Sequence, residues 1–347
     1  GYLSGAVVTF DADGDGVGDL ANSSVTDENG SFQLIFSSSE LSAIDLDGDG
    51  KLDPDEGSIL VTGSTGTIDA TTGLSFNGVY AADANSSVVS PLTTVLNTLI
   101  QAGMDKTEAE SKLISSLGLP TDLNLTTYDP VKGAMEGNAS AMQFLATGAK
   151  VANFLSQADA FADYTLTVVQ TPYAKQQGAA RQIANMIIVT SAKDVLSDDQ
   201  KISLYLNNFL SDLDASVVVN ESELLLASSL IQASNDSLDA AWDGTDANVQ
   251  TGFSELLKRQ IAIDELVMDS IYERASEQGI FYSEYSNLLT SVEQNAASET
   301  GINQFAPVGQ SASHTLYLDN LSTGEVLADL NVSDPDGGAF NASISSG

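Results

Sequence analysis

Residues 45–56, DLDGDGKLDPDE, place acidic side chains at the spacing of a calcium-binding EF-hand loop. Carboxylates stand at positions 1, 3 and 5 of the loop, a glycine follows at position 6, and an acid closes it at position 12. Calcium takes many hard oxygen ligands from a flexible backbone, and this spacing supplies them. The predicted ligands are Asp45, Asp47, Asp49, the backbone carbonyl of Lys51, Asp53 and Glu56.

Another loop with the same spacing starts 34 residues earlier in the chain, at Asp11. Its position 12 is Asn22, so it lacks the acid that normally closes the coordination shell. Either this loop binds calcium more weakly, or a residue from the next turn, such as Asp27, completes it. The predicted ligands are Asp11, Asp13, Asp15, the backbone carbonyl of Val17, Asp19 and Asp27.

The alternative interpretation is that both loops are solvated acidic turns, since isolated Asp-x-Asp strings are frequent in an acidic chain. Two loops that each combine three spaced aspartates, the glycine and an aspartate at position 9 favour calcium. Sensor EF-hands open a pair of helices. Here a strand-like run, residues 7–10, precedes the first loop, and a short segment, residues 40–44, precedes the second. Structural stabilisation by calcium is therefore favoured over signalling.

The charge balance limits the partners. The chain has 48 acidic and 12 basic residues, a net charge of −36, and no basic region. Nucleic acids and anionic membrane surfaces are therefore not expected as partners. No stretch approaches the roughly 18 apolar residues of a membrane span, so insertion into a membrane is not expected. Bound cations or high salt would offset the self-repulsion, and both indicate an extracellular location.

The residues available for catalysis are few. There is no cysteine and a single histidine, His314. Disulfides, thiolate metal sites and the usual His-rich zinc sites are thereby excluded, and a Ser-His-Asp triad would rest on one histidine without a supporting motif. Enzyme activity is not expected. A carbohydrate-active enzyme that uses paired carboxylates is a minor alternative.

Three regions are predicted, which gives an α+β multidomain chain. Residues 1–86 form a β module, with strands expected at 5–10, 31–36 and 58–62. Residues 87–302 form a large all-α domain, whose helices begin at signals such as Ser90-Pro91 and Asp129-Pro130. Residues 303–347 return to β character.

The opening GYLSGAVVTFDADGDG, followed by TDENGSF at residues 26–32, resembles the calcium-binding B-type β-sandwich repeats of bacterial surface adhesins. The stretch SPLTTVL, residues 90–96, is similar to helical segments that follow such modules. This resemblance implies a β-sandwich-like N-terminal module and a secreted, calcium-dependent, non-enzymatic adhesin segment. The expected location is the extracellular bacterial cell surface or a biofilm.

The C-terminal region resembles the start of a cadherin-like repeat, with NQFAP at 303–307 as the linker and DPDG at 334–337 as the turn. The resemblance implies calcium ligands at Asp319, Asp334 and Asp336, whereas the residues alone also fit a plain Asp-Pro turn. The region either starts a new repeat or completes the N-terminal module, which would make the helices an insertion in a split β-domain.

The resemblance also implies partners. These are calcium ions, a glycan or protein on a host-cell or bacterial surface, and neighbouring domains of a longer chain, from which we expect this segment to come. Two other interpretations stay open: a rigid calcium-stabilised spacer without a ligand of its own, and a halophilic protein whose acids hold water.

Overall fold

Short β-branched and aromatic runs of the N-terminal region pair as strands in the computed structural model. The structure describes residues 1–21, 23–189, 195–273, 275, 288–298, 308–309 and 332–333. The chain is mixed α and β, mostly helical, with small sheets, in agreement with the coarse fold class expected. The strands are β1 (Leu3–Ser4), β2 (Val7–Asp11), β3 (Ser24–Val25), β4 (Ser58–Thr62), β5 (Ile68–Asp69), β6 (Val79–Asp83), β7 (Val308–Gly309) and β8 (Val332–Ser333).

The main sheet has four antiparallel strands in the order β3-β2-β4-β6. Asp11 at the end of β2 lies opposite Ser58 at the start of β4, and Ser58 lies opposite Asp83 at the end of β6. Two small sheets pair β1 with β5 and β7 with β8, both antiparallel. This register places the last residues of β2 and β6 and the first residue of β4 at the same end of the sheet.

Both faces of the main sheet are buried, and β4 contributes apolar side chains to each face. Ile59 and Val61 pack with Phe10 on one face, and Leu60 packs with Ala81 on the other. Burial on both faces explains why SILVT reads as a continuous apolar run.

The strand predicted at residues 31–36 is wrong. Phe32, Leu34 and Phe36 are partly buried, alternate with exposed residues, and pack on the core of the main sheet. Phe36 meets Phe10 edge to face, with 5.1 Å between ring centroids. The segment nevertheless belongs to no ladder. Alternation reports which side chains are buried, and burial against the face of an existing sheet does not require strand pairing.

The helices begin where the sequence signals indicate. The Ser90 side chain accepts from the Thr93 amide, and the Asp129 side chain accepts from the Lys132 amide, each with proline as the next residue. The helices are α1 (Ser38–Ile44), α2 (Pro91–Gln101), α3 (Lys106–Leu117), α4 (Pro130–Met135), α5 (Ala139–Thr165), α6 (Pro172–Val189), α7 (Asp199–Leu213), α8 (Glu221–Asp239), α9 (Val249–Ile263) and α10 (Leu288–Ser298). A π-helix, Asp264–Glu273, continues α9. Helices from α2 onward enclose the largest apolar core.

Helix α2 attaches the helical region to the sheet. The Ala81 amide of edge strand β6 donates to Thr94 Oγ1, and Thr93 Oγ1 donates to the Ala81 carbonyl, each at 3.0 Å. Asn97 Nδ2 donates to Ser58 Oγ at 3.0 Å. The side chains of α2 thus satisfy backbone groups that an edge strand would leave unpaired.

Within the described ranges, no helix is both long and apolar enough to cross a membrane. His314 and the C-terminal candidate ligands Asp319, Asp334 and Asp336 lie outside the described residues.

Candidate metal centre

The loop that follows α1 brings its first three aspartates together. Carboxylate oxygens of Asp45, Asp47 and Asp49 lie within 4.8 Å of one another, so one ion could contact all three. Backbone amides hold these carboxylates in place. Gly48 and Gly50 donate to the two oxygens of Asp45, each at 2.7 Å, and the Lys51 amide donates to Asp49 Oδ1 at 2.8 Å.

Glu56 closes this loop from its far end. It is only 5% exposed, and its two carboxylate oxygens accept from the amides of Leu46 and Asp53. Helix α1 leads into the loop, and β4 begins two residues after Glu56. The loop is therefore flanked by one short helix and a strand, as the sequence indicated, and not by the helix pair of a sensor EF-hand.

The loop that follows β2 repeats the same hydrogen bonds. Gly14 and Gly16 donate to the two oxygens of Asp11, at 2.7 and 2.9 Å, and the Val17 amide donates to Asp15 Oδ1 at 2.7 Å. Carboxylate oxygens of Asp11, Asp13 and Asp15 also lie within 4.8 Å of one another. We name the loops by their residues: the first loop is 11–19 and the second loop is 45–56.

Asp19 closes the first loop in the described part of the chain. Asp19 Oδ2 accepts from the amide of Ala12, the second residue of the loop, at 2.7 Å. Glu56 accepts from the matching amide of Leu46 in the second loop. Asp27, proposed from the sequence to complete this site, instead accepts from the amides of Asn29 and Ser31 in its own turn. The first loop is thus shorter than an EF-hand loop, with an aspartate at position 9 in the structural place of the glutamate.

Burial and backbone hydrogen bonds shift the pKa of three carboxyls in the two loops. Burial raises the pKa of Asp11, against hydrogen bonds from Gly16 and Gly14 that lower it. Desolvation also raises the pKa of Asp53, followed by repulsion from Asp47 and Glu56. Amide donation, first from Gly50, lowers the pKa of Asp45. A bound divalent cation would stabilise the ionised form of every carboxylate in the cluster.

The two loops meet at one end of the main sheet. The first begins at Asp11 where β2 ends, and the second ends at Glu56 just before β4. Gly57 lies between them: a Cβ there would be 2.7 Å from the Phe10 ring and 2.9 Å from the Asp11 carbonyl oxygen. Only glycine permits this approach, and its φ of +128° also disfavours other residues.

Two contacts, one in the first loop and one just after it, were missed by the sequence analysis. Glu40 of α1 accepts from the Ala21 amide at 3.0 Å, which ties the helix before the second loop to the chain after the first. The Ser37-to-Glu40 capping box is a local signal that could have identified Glu40. Tyr173 of α6 donates to the Gly14 carbonyl at 3.3 Å, and burial followed by the nearby Asp11 carboxylate raises its pKa to about 12. No local signal identifies this contact.

Comparison with protein-family models, with curated proteins and with solved structures found no match for this chain.

Proposed function

We propose that this chain is a calcium-binding, non-enzymatic segment of a secreted bacterial adhesin, in which calcium stabilises the β module. The observation that carries the proposal is the second loop. Its three clustered aspartates and the buried Glu56 are held by backbone amides in the pattern of a calcium loop.

Electrostatics supports a cation in each loop. Two unit charges less than 5 Å apart repel by about 1 kcal/mol even at the dielectric constant of water. Each cluster contains three such pairs among its first three aspartates. A divalent cation replaces that repulsion with attraction, and it stabilises the fold because it binds the native state alone.

Thermal unfolding tests the proposal at constant ionic strength in calcium, in EDTA, and in EDTA with excess magnesium. At a calcium concentration a hundredfold above Kd, one site stabilises the fold by about 2.7 kcal/mol. Magnesium should stabilise the fold less than calcium does, because it requires a near-octahedral shell and loses its bound water reluctantly. Equal melting temperatures in all three buffers would refute calcium stabilisation. A melting temperature that rises with added sodium chloride, but does not differ among these three buffers, would favour the halophile interpretation.

Attachment to a surface partner, a glycan or a protein, is the role proposed for the helical domain, residues 87–302. One observation favours it: the connections from α5 to α6 and from α7 to α8 expose apolar side chains. Val169 is 96% exposed and Val218 is 92% exposed. Gln170 Nε2 donates to the Leu213 carbonyl at 3.2 Å, which links the α5–α6 connection to the end of α7. We expect the two valines to belong to one apolar patch, since contiguous exposed apolar patches are common at protein-binding surfaces.

A rigid spacer without a ligand is the second candidate. The attachment of α2 to β6 favours it, since buried hydrogen bonds join the sheet to the helices. Pull-down on glycan and protein arrays separates the two roles. Loss of a captured partner in a Val169→Asp, Val218→Asp variant would support attachment, and capture of nothing by the wild type would support the spacer.

The same proposal divides the chain into domains. Residues 1–86 are the β-sandwich-like calcium module, and residues 303–347 are a cadherin-like segment that either starts a repeat or completes the first module. The proposed location is the extracellular bacterial surface, and the proposed partners include neighbouring domains of a longer chain.

A further inference from the structure

Helix α6 reaches the first loop through one side chain in its first turn. The Tyr173 hydroxyl donates to the Gly14 carbonyl at 3.3 Å. The tyrosine ring lies against Gly16, where a Cβ would be 2.3 Å from a ring carbon. The glycine that gives the loop its sharp turn is therefore also the place where the ring packs.

The same tyrosine packs on the main sheet. Its ring contacts the apolar cluster of Leu60, Val79 and Ala81, on the face of the sheet that meets the helices. One side chain from the helical region therefore touches both the first loop and strands β4 and β6 of the main sheet.

The first turn of α6 is itself held firmly. Lys175 is buried, and its Nζ lies 3.1 Å from Asp159 and 2.7 Å from Asp163, both on α5. Gln176, the next residue, is 4% exposed. Tyr173 thus extends to the loop from a backbone that two ion pairs and burial fix in place.

We propose that Tyr173 is a positioning residue of the first loop, so that a cation bound by Asp11, Asp13 and Asp15 also strengthens the attachment of α6 to the sheet. This inference rests on the proposed function, since it assumes that the first loop binds calcium. The hydroxyl fixes the Gly14 carbonyl between the clustered aspartates, which reduces the ordering that binding would otherwise require. Because coupling between two equilibria is reciprocal, ion binding then stabilises the docked helix.

The test uses the full chain with Asp47→Asn and Asp49→Asn, which leaves the first loop as the intact site. Calcium affinity is measured by calorimetry, and terbium luminescence is excited through tyrosine. Tyr173→Phe removes only the hydroxyl. It should weaken calcium binding roughly two- to tenfold, the effect of one net hydrogen bond, and reduce terbium emission. Tyr164→Phe is the matched control, since it loses a hydroxyl bonded to Glu223 of α8 and should change neither.

Hydrogen exchange supplies a second readout. In the wild type, calcium should slow exchange of the amides at residues 174–178. In Tyr173→Leu, which lacks both the ring and the hydroxyl, calcium should leave that exchange unchanged. Circular dichroism checks that each variant is folded.

The outcomes separate the two proposals. If the wild type and the Asp47→Asn, Asp49→Asn background bind neither calcium nor terbium, the proposed function fails at these sites. If they bind but Tyr173→Phe keeps full calcium affinity, the positioning role is overturned while calcium binding stands. Loss of terbium emission without loss of affinity also overturns it, because emission reports only that the tyrosine is near the ion.

Discussion

Replacing Glu56 with glutamine should remove most of the calcium-dependent stability that the second loop contributes. Glu56 is 5% exposed and is held by the amides of Leu46 and Asp53, so the substitution changes charge while keeping size. A carboxylate charge about 2.5 Å from a divalent cation interacts by about 3 kcal/mol at the dielectric constant of water. Its loss corresponds to a rise in Kd of roughly a hundredfold or more.

That rise has a calculable effect on unfolding. With calcium a hundredfold above the wild-type Kd, the occupied loop contributes about 2.7 kcal/mol, and after a hundredfold loss of affinity about 0.4 kcal/mol remains. The difference in unfolding free energy between calcium and EDTA should therefore fall by about 2 kcal/mol, which is a few degrees in Tm for a chain of this size. Denaturant titration in the two buffers measures it directly.

Asp55→Asn is the matched control. Asp55 lies in the same loop, is exposed, and occupies a position that supplies no ligand in the calcium pattern. It removes the same unit of charge, so any general electrostatic effect appears in both variants. If the two variants lose equal calcium-dependent stability, the effect is nonspecific and the assignment of Glu56 as the closing ligand is refuted.

Three further substitutions test the fold. Burial, with repulsion from Asp269 and Glu265, raises the pKa of Asp264 to about 6. The folded state then binds more protons than the unfolded state, so stability is lost as pH rises from about 4 to 6. Asp264→Asn should add on the order of 1–2 kcal/mol at pH 7, after allowance for solvent screening, and little at pH 4; equal gains in denaturant titrations at both pH values would contradict this. Thr94→Val leaves the buried Ala81 amide without its acceptor and should lower the free energy of unfolding by about 1–3 kcal/mol. An unchanged stability in calorimetry would show that α2 does not secure the edge strand β6. Phe154→Ala, at a fully buried position of α5, should cost about 3–5 kcal/mol equally in calcium and in EDTA, and a calcium-dependent cost would place the ions within the helical core.

Local signals determined what could be predicted from the sequence. Cap-plus-proline pairs at Ser90 and Asp129 act within one helical turn, and the structure confirms both helix starts. The aspartate spacing of each loop is local as well, and the clusters form where the pattern places them. A capping side chain or a tight turn is satisfied by residues a few positions away, so its signature survives in the sequence.

Contacts between distant residues left no such signature. Tyr173 meets a loop 159 residues away, and Asn97 meets Ser58 across 39 residues. The alternating run at 31–36 showed which side chains are buried but not what they pack against. Closure of the first loop by Asp19 was missed for another reason. The EF-hand pattern predicts the closing acid at position 12, whereas in this chain Asp19, at position 9, closes a shorter loop.

The register of the main sheet places two buried aspartates at its loop-bearing end, and the two differ in the charges that surround them. Asp11 and Asp83 are both fully buried and flank Ser58 in the sheet. Asp83 is compensated from within the chain, since Lys106 Nζ lies 3.0 Å from its carboxylate. In the described part of the chain, Asp11 has no ion pair with a lysine or arginine. Its carboxylate accepts from backbone amides and lies beside Tyr173 and two neighbouring aspartates.

One lysine would not compensate the three clustered aspartates of the first loop as Lys106 compensates Asp83. An ammonium group is a single charge that hydrogen-bonds through three donors, whereas three converging carboxylates present three charges and many oxygen lone pairs. A divalent cation with a large and flexible oxygen shell matches that set. The two buried aspartates at one end of the main sheet thus differ in their surroundings. Asp83 has its counter-charge on α3. Under the proposed calcium binding Asp11 takes its counter-charge from the medium, so we expect calcium to stabilise the β module and to leave the attachment of α3 unchanged.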